Sequence, residues 1–179
     1  MRKLHAAALA LSAAIAFPAA AALPSREVSK TLPLAAGETV RVDTYKGTVK
    51  VTTWDKAEVA VEARIEADDS CGSAERQAKW VEKTQVVIEK SRGGVSITSD
   101  YDALEESSSW FGTCTARPFV HYRIRLPKSA ALRIKDYKSD VVVKGLAADL
   151  SIDTYKGTVE VVGLAGALSI DTYKGEVNA

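Results

Sequence analysis

The chain has 179 residues and nearly balanced charge, 24 Lys and Arg against 23 Asp and Glu, with two Cys and two His. That balance gives no electrostatic case for nucleic-acid binding. The length suits one domain with a real core, and the scarcity of Cys and His argues against a metal-centred protein.

Met1-Arg2-Lys3-Leu4-His5 opens the chain, followed by an Ala/Leu/Ile run to Phe17 and small residues before Leu23-Pro24. A charged segment, a short apolar segment and an Ala-x-Ala site together predict a secretory signal peptide over residues 1–22. The apolar run falls short of the ~20 residues that a membrane span needs, so no integral span is expected. Losing Arg2 and Lys3 takes the net charge from +1 to −1. Residues 23–179 are expected to form a single exported domain. Cys71 and Cys114 are expected to pair in an oxidising compartment. Their bond would close a loop of roughly 44 residues, for which the chain-entropy model gives about 4 kcal/mol.

Residues 29–34 read as an edge strand. Val40-Arg41-Val42 alternates apolar and polar residues, as a half-buried strand does. Asp43-Thr44-Tyr45-Lys46-Gly47 turns the chain, and residues 48–53 alternate again. Val59, Val61, Ala63 and Ile65 mark one face of a third strand. The period then changes. Gln77, Trp80, Val81 and Thr84 share a helical stripe behind a Ser73 N-cap, predicting a short helix docked over one end of a sheet. Residues 86–90 and 95–99 read as a hairpin around Ser91-Arg92-Gly93-Gly94. Residues 100–118 form a long irregular loop of the kind that is usually functional or mobile, with Trp110-Phe111 and then Cys114. Val120, Tyr122, Ile124 and Leu126 next alternate with His121, Arg123 and Arg125, up to Pro127-Lys128.

From Ala131 an 18-residue period takes over. Asp-Thr-Tyr-Lys-Gly occurs at 43–47, 153–157 and 171–175, with a degenerate copy, Lys135-Asp136-Tyr137-Lys138-Ser139. The copies carry Leu-x-Ile before the motif and Val-x-Val after it. Each holds two short strands and two corners, too short for a helical repeat. The pattern predicts an all-β, single-stranded β-solenoid whose coils stack in parallel register about 4.8 Å apart. A helix-and-loop insert at about residues 68–119 would interrupt it. Leu150, Ile152, Val159 and Val161 would point inward with their equivalents in neighbouring coils.

Tyr122-Arg123-Ile124-Arg125-Leu126-Pro127-Lys128, followed by Leu-x-Ile-x-x-x-x-Gly-x-Val-x-Val repeats, resembles the bacterial putative adhesin family, also called DUF4097. The likeness covers residues 40–56 and about 120–179. It implies a right-handed β-solenoid at the cell envelope, in the periplasm or at the surface of a bacterium, and brings no catalytic residues with it. The insert with its disulfide departs from the family pattern. So does the stop half a coil after the last motif, which leaves an open coil where self-association is expected.

If Leu150 and Ile152 point in, Tyr155 points out. Tyr137, Tyr155 and Tyr173 would then form an outer aromatic ladder flanked by Lys138, Lys156 and Lys174. Two readings stand: a surface for carbohydrate or peptide, or side chains that stabilise one another at a coil corner, at about 0.2–1 kcal/mol per pair. Trp110-Phe111 either covers an end of the solenoid or contacts a partner. Asp43, Asp153 and Asp171 lack the loop pattern that calcium needs, so no metal is expected. Glu105-Glu106, near Asp100 and Asp102, read as a solvated acidic loop, and His121 as part of a polar strand face. No cofactor and no enzymatic activity are expected. The chain reads as a non-catalytic envelope protein with a repetitive face for a glycan or protein. The alternative is a sensor or regulatory partner in the envelope stress response.

Overall fold

The computed structural model describes residues 22–104 and 116–179 in full, and the backbone of 107–109 and 112–114. Residues 1–21 of the expected signal peptide, Glu105, Glu106, Trp110 and Phe111 lie outside the described residues, as does the side chain of Cys114. Among the described residues the first four strands are β1 (Ser25–Pro33), β2 (Thr39–Asp43), β3 (Lys46–Trp54) and β4 (Glu58–Glu66). Helix α1 (Ala74–Lys83) follows, then β5 (Gln85–Ser91), β6 (Gly94–Asp100), β7 (Ser107–Ser109), β8 (Gly112–Cys114) and β9 (Phe119–Pro127). The repeats supply β10 (Ala131–Lys144), β11 (Leu150–Lys156), β12 (Thr158–Val162), β13 (Leu168–Thr172) and β14 (Glu176–Asn178).

Alternation explains most of these strands. In β9, Val120, Tyr122, Ile124 and Leu126 are fully buried while Arg123 and Arg125 face water. Val40 and Val42 of β2, Val49 and Val51 of β3, and Leu132 and Ile134 of β10 are buried in the same way. Branched aliphatic side chains suit these positions because they pack closely on a pleated face. Each contributes roughly 1.5–3 kcal/mol relative to exposure. Tyr122 is the exception in chemistry. Its hydroxyl is carried inside and lies 2.7 Å from Ser99 Oγ, which in turn lies 3.0 Å from Thr44 Oγ1. Burial pushes the Tyr122 phenol well above its ordinary pKa.

The repeats stack in parallel with a constant 18-residue offset. Leu132 pairs with Leu150 and Leu150 with Leu168; Val141 pairs with Val159 and Val159 with Val177. Strand β10 runs through its own corner and serves two walls. Its first part pairs with β2 and β11, and its second part with β3 and β12. On the far side of this stack β6 pairs with β2, and β9 pairs with β3, again in parallel.

The single-stranded β-solenoid predicted from the period is nevertheless not the fold. Twelve of the fourteen strands form one mixed sheet that curls into a nearly closed, barrel-like body, and β7 and β8 pair only with each other. In a solenoid each coil stacks on the one before it in sequence. Here β2 and β3 stack on β10, far along the chain, and β10 then separates them from β11 and β12. The remaining strands are antiparallel: β5 to β6 through the Ser91–Gly94 hairpin, and β4 to both β9 and β1. The sheet is drawn round because β1 comes beside the α1–β5 segment. Lys30 Nζ donates to the Ile88 carbonyl at 2.7 Å, and Arg26 donates to the Thr84 carbonyl. Helix α1 is capped by Ser73, whose Oγ accepts from the Arg76 N–H, and buries Gln77, Trp80 and Val81. At the opposite end β13 and β14 each pair on one side only, with Leu168 and Val177 both 40% exposed.

Candidate functional site

The Asp-Thr-Tyr-Lys-Gly corner joins the two walls of the stack, and its residues divide by direction. The second position points inward. Thr44, Asp136 and Thr154 occupy it in successive coils and all are buried. Asp136 Oδ2 accepts from the Ser139 N–H and from Thr154 Oγ1, each at 2.8 Å, and Oδ1 accepts from the Lys138 N–H at 3.2 Å. Burial raises the Asp136 pKa above the ordinary carboxylate value, and these hydrogen bonds only partly offset that. Thr172 does the same work in its own coil, its Oγ1 accepting from the Gly175 N–H at 3.0 Å. The last position must be tight. Gly157 has φ +140°, and a Cβ there would sit 2.0 Å from the Ser139 carbonyl oxygen. That space and that angle suit only glycine.

The third position points outward, and its tyrosines form a ladder. Tyr45 stacks on Tyr137 with ring centroids 4.9 Å apart and planes 7° from parallel. Tyr137 stacks on Tyr155 at 4.9 Å and 2°, and Tyr155 on Tyr173 at 5.1 Å and 15°. The spacing is that of neighbouring strands. Tyr45 belongs to the ladder because β2 and β3 pair with β10. Tyr101 meets Tyr45 edge to face at 6.1 Å, and the Arg117 guanidinium lies over both rings, 4.6 Å from Tyr45 and 5.6 Å from Tyr101. The ladder is therefore covered at one end. At the other, Tyr173 is 71% exposed, while Tyr137 and Tyr155 are 43% and 38% exposed.

Between those ends each ring face is taken up by the next ring. What the middle of the ladder offers to solvent is ring edges and phenol hydroxyls. Lys138, Lys156 and Lys174 flank them as exposed ammonium groups, with Lys174 Nζ 5.3 Å from the Tyr173 ring. Lys46, in the equivalent position of the first copy, turns away. It is buried, ion-paired with Asp68, and lies 4.2 Å above the Phe119 ring. Burial alone would raise the Asp68 pKa, but the Lys46 ammonium and hydrogen bonds from Ser70 hold it below the ordinary value.

Other sequence candidates fall elsewhere. Asp43, Asp153 and Asp171 share one row, but Lys135 stands between Asp43 and Asp153. Among the described residues no group of three or more His, Cys, Asp and Glu could hold a metal. His121 is half-buried with Nδ1 3.2 Å from Thr48 Oγ1, and burial lowers its pKa. Tyr101 and Arg117 are absent from the sequence reading. Tyr101 follows Val95-Ser96-Ile97 by one residue more than the repeat allows, so the period hides it; Arg117 has no pattern signal at all.

No family model matches the chain, and no curated protein does. Among solved structures, the chain is similar to a protein titled "putative cell adhesion protein" from Clostridium sporogenes ATCC 15579. The TM-score is 0.44 at 10% identity, covering 86% of this chain and 98% of that one. A second, titled "putative lipid binding protein" from Parabacteroides distasonis ATCC 8503, gives a TM-score of 0.29 at 12% identity, covering 84% of this chain and 59% of that one. Both fall below the level at which likeness of fold informs function, so the functional reading rests on the site. Among the described residues no helix is long and apolar enough to cross a membrane.

Proposed function

We propose that this is an exported, non-catalytic binding protein whose outer tyrosine ladder holds an extended glycan. The observation that carries the reading is the four-ring stack Tyr45–Tyr137–Tyr155–Tyr173, with outward hydroxyls at the strand spacing and lysines beside them. A linear polymer of hydroxyl-bearing rings can lie along such a row and meet one phenol after another. Because the inner faces are taken, contact comes through hydroxyls, ring edges and ammonium groups rather than through a sugar laid flat on a ring. Tyr173 alone has no ring stacked on its outer face, so flat stacking of a sugar is confined there, beside the Lys174 ammonium. The domain over residues 23–179 and export by the signal peptide belong to the same reading. So does a Cys71–Cys114 bond, the pairing expected of two cysteines in an exported chain.

The test is calorimetric titration with β-linked glucan and chitin oligosaccharides of increasing length. Affinity is expected to rise with length until the oligomer spans the ladder. Tyr155→Phe keeps the stack and removes one hydroxyl, so it is expected to weaken binding nearly as much as Tyr155→Ala. Binding that survives both substitutions, or binding of no oligosaccharide, would overturn the reading.

A further inference from the structure

A groove of about 760 Å³ lies on the outer face of β1, β4, β9 and β3, away from the hydrophobic core. Its floor is set by register. Lys50 on β3 is directly beside Arg123 on β9, and Arg123 is directly opposite Glu62 on β4. One step along, Thr48 is beside His121, which is opposite Arg64. Like charges directly beside one another on paired strands are destabilising unless something neutralises them. Glu62 is placed to neutralise Arg123, yet its Oε1 instead meets Arg125 Nη2 at 3.1 Å. Arg125 is itself held with its guanidinium 5.0 Å above the Trp54 ring. Glu66, also on the groove wall, is taken by Arg64 at 2.7 Å. The remaining acid of the lining, Glu27, is on β1 directly opposite Arg64, with the whole of β4 between it and β9. Among the described residues neither Lys50 nor Arg123 takes part in any ion pair.

We infer that this groove is an oxyanion-binding site, in which Lys50 and Arg123 together hold a carboxylate or phosphate group carried by a polar ligand. The Arg123 guanidinium offers paired donors that match two oxygens of such a group, and Lys50 adds a compact charge beside it. His121 and Thr48, hydrogen-bonded to each other next to this pair, present the polar groups that would meet the uncharged part of the ligand. With Glu62 and Glu66 engaged by other arginines, the positive charge of the pair is left available to an anion. The site stands on different residues from the tyrosine ladder and does not depend on it.

The test is titration of the folded protein with inorganic phosphate, with glucuronate, and with uncharged glucose, followed by NMR shifts of the Arg123 side chain and by calorimetry. Saturable one-to-one binding of phosphate or glucuronate, but not of glucose, is expected. Phosphate alone binding would identify a phosphate-bearing ligand, and glucuronate alone a sugar carboxylate; either supports the site. Lys50→Gln and Arg123→Gln are each expected to weaken binding roughly tenfold or more, about the loss of one charge-assisted contact. Arg123→Lys should recover part of it. Both positions are exposed, and unchanged thermal melts would show the variants folded. Binding unaltered in both Gln variants, glucose binding as well as glucuronate, or no binding of either anion would overturn the proposal.

Discussion

Replacing Asp136 tests how the corner is held from inside. In the other copies the same position is threonine, so this carboxyl is a local departure from the repeat. Asp136→Ala leaves the Ser139 N–H and the Thr154 hydroxyl without their acceptor, and both residues are at most 2% exposed. A stranded buried donor costs about 1–3 kcal/mol, so the two together cost about 2–6 kcal/mol. The Lys138 N–H adds little, because it keeps its shorter bond to the Tyr45 carbonyl at 2.8 Å. Thr154 Oγ1 retains only a weak contact to the Lys156 carbonyl at 3.5 Å. We expect a loss of about 4 kcal/mol by urea denaturation at neutral pH. Asp136→Thr should stay within about 1 kcal/mol of the parent, because a threonine oxygen accepts the equivalent bond at Thr172. The pH dependence separates charge from shape. Burial raises the Asp136 pKa, so the folded chain binds that proton more tightly than the unfolded chain. Its contribution is greatest below the ordinary carboxylate pKa and falls as pH rises through the raised value. The stability of the parent relative to Asp136→Asn should therefore decline across that window as pH rises. An Ala variant within about 1 kcal/mol of the parent, or a Thr variant as unstable as Ala, would refute the reasoning.

The tight last position gives a second outcome. Gly157→Ala must both adopt φ +140° and push a methyl against the Ser139 carbonyl, so a loss of about 3 kcal/mol or more is expected in thermal melts. Gly37→Ala, at φ +79° with nothing within 4 Å, should cost only about 1 kcal/mol, and equal losses would sink the close-approach argument. Tyr155→Ala removes two ring stacks worth about 0.5–1.5 kcal/mol each, and Tyr173→Ala removes one. Denaturation midpoints should therefore rank parent, Tyr173→Ala, then Tyr155→Ala. Lys46→Met removes the cation that holds down the Asp68 pKa, leaving burial to raise it. NMR titration should show the Asp68 pKa moving up. The stability that the pair supplies above the ordinary carboxylate pKa, lost in the parent as pH falls through the depressed value, should be missing from the variant.

Much of the β architecture is legible in the chain because aliphatic alternation is strict. Leu132, Leu150 and Leu168 announce their own register by recurring every 18 residues. The overall order of strands is not legible, because nothing local says that Val40 pairs with Leu132 rather than with a neighbour in sequence. An 18-residue period points to stacking between sequence neighbours, and β10 departs from it by inserting between two coils. Strand β10, with Ser139 where the other copies have glycine, runs as one strand of 14 residues serving both walls. The antiparallel closure by β1, β4 and β5 likewise depends on long-range contacts such as Lys30 to Ile88, which leave no periodic trace. At the site, the recurrence of Tyr137, Tyr155 and Tyr173 is plain in the sequence. Whether Tyr45 joins them depends on that same pairing of β2 and β3 with β10.

The recurrence that reveals the ladder also limits what it can do. Identical side chains at an 18-residue offset land one strand spacing apart, which is ring-stacking distance, so each tyrosine spends its faces on its neighbours. A binding platform that lays sugars flat on aromatic rings needs those faces free. The same stack that stabilises the corner thus turns an apolar surface into a row of hydroxyls and ring edges, and confines flat stacking to Tyr173. Stabilisation and binding are then not competing accounts of the ladder. The stack fixes each phenol so that little side-chain freedom is left to lose when a ligand binds, and pre-organisation of this kind is where a shallow polar surface gains most of its affinity.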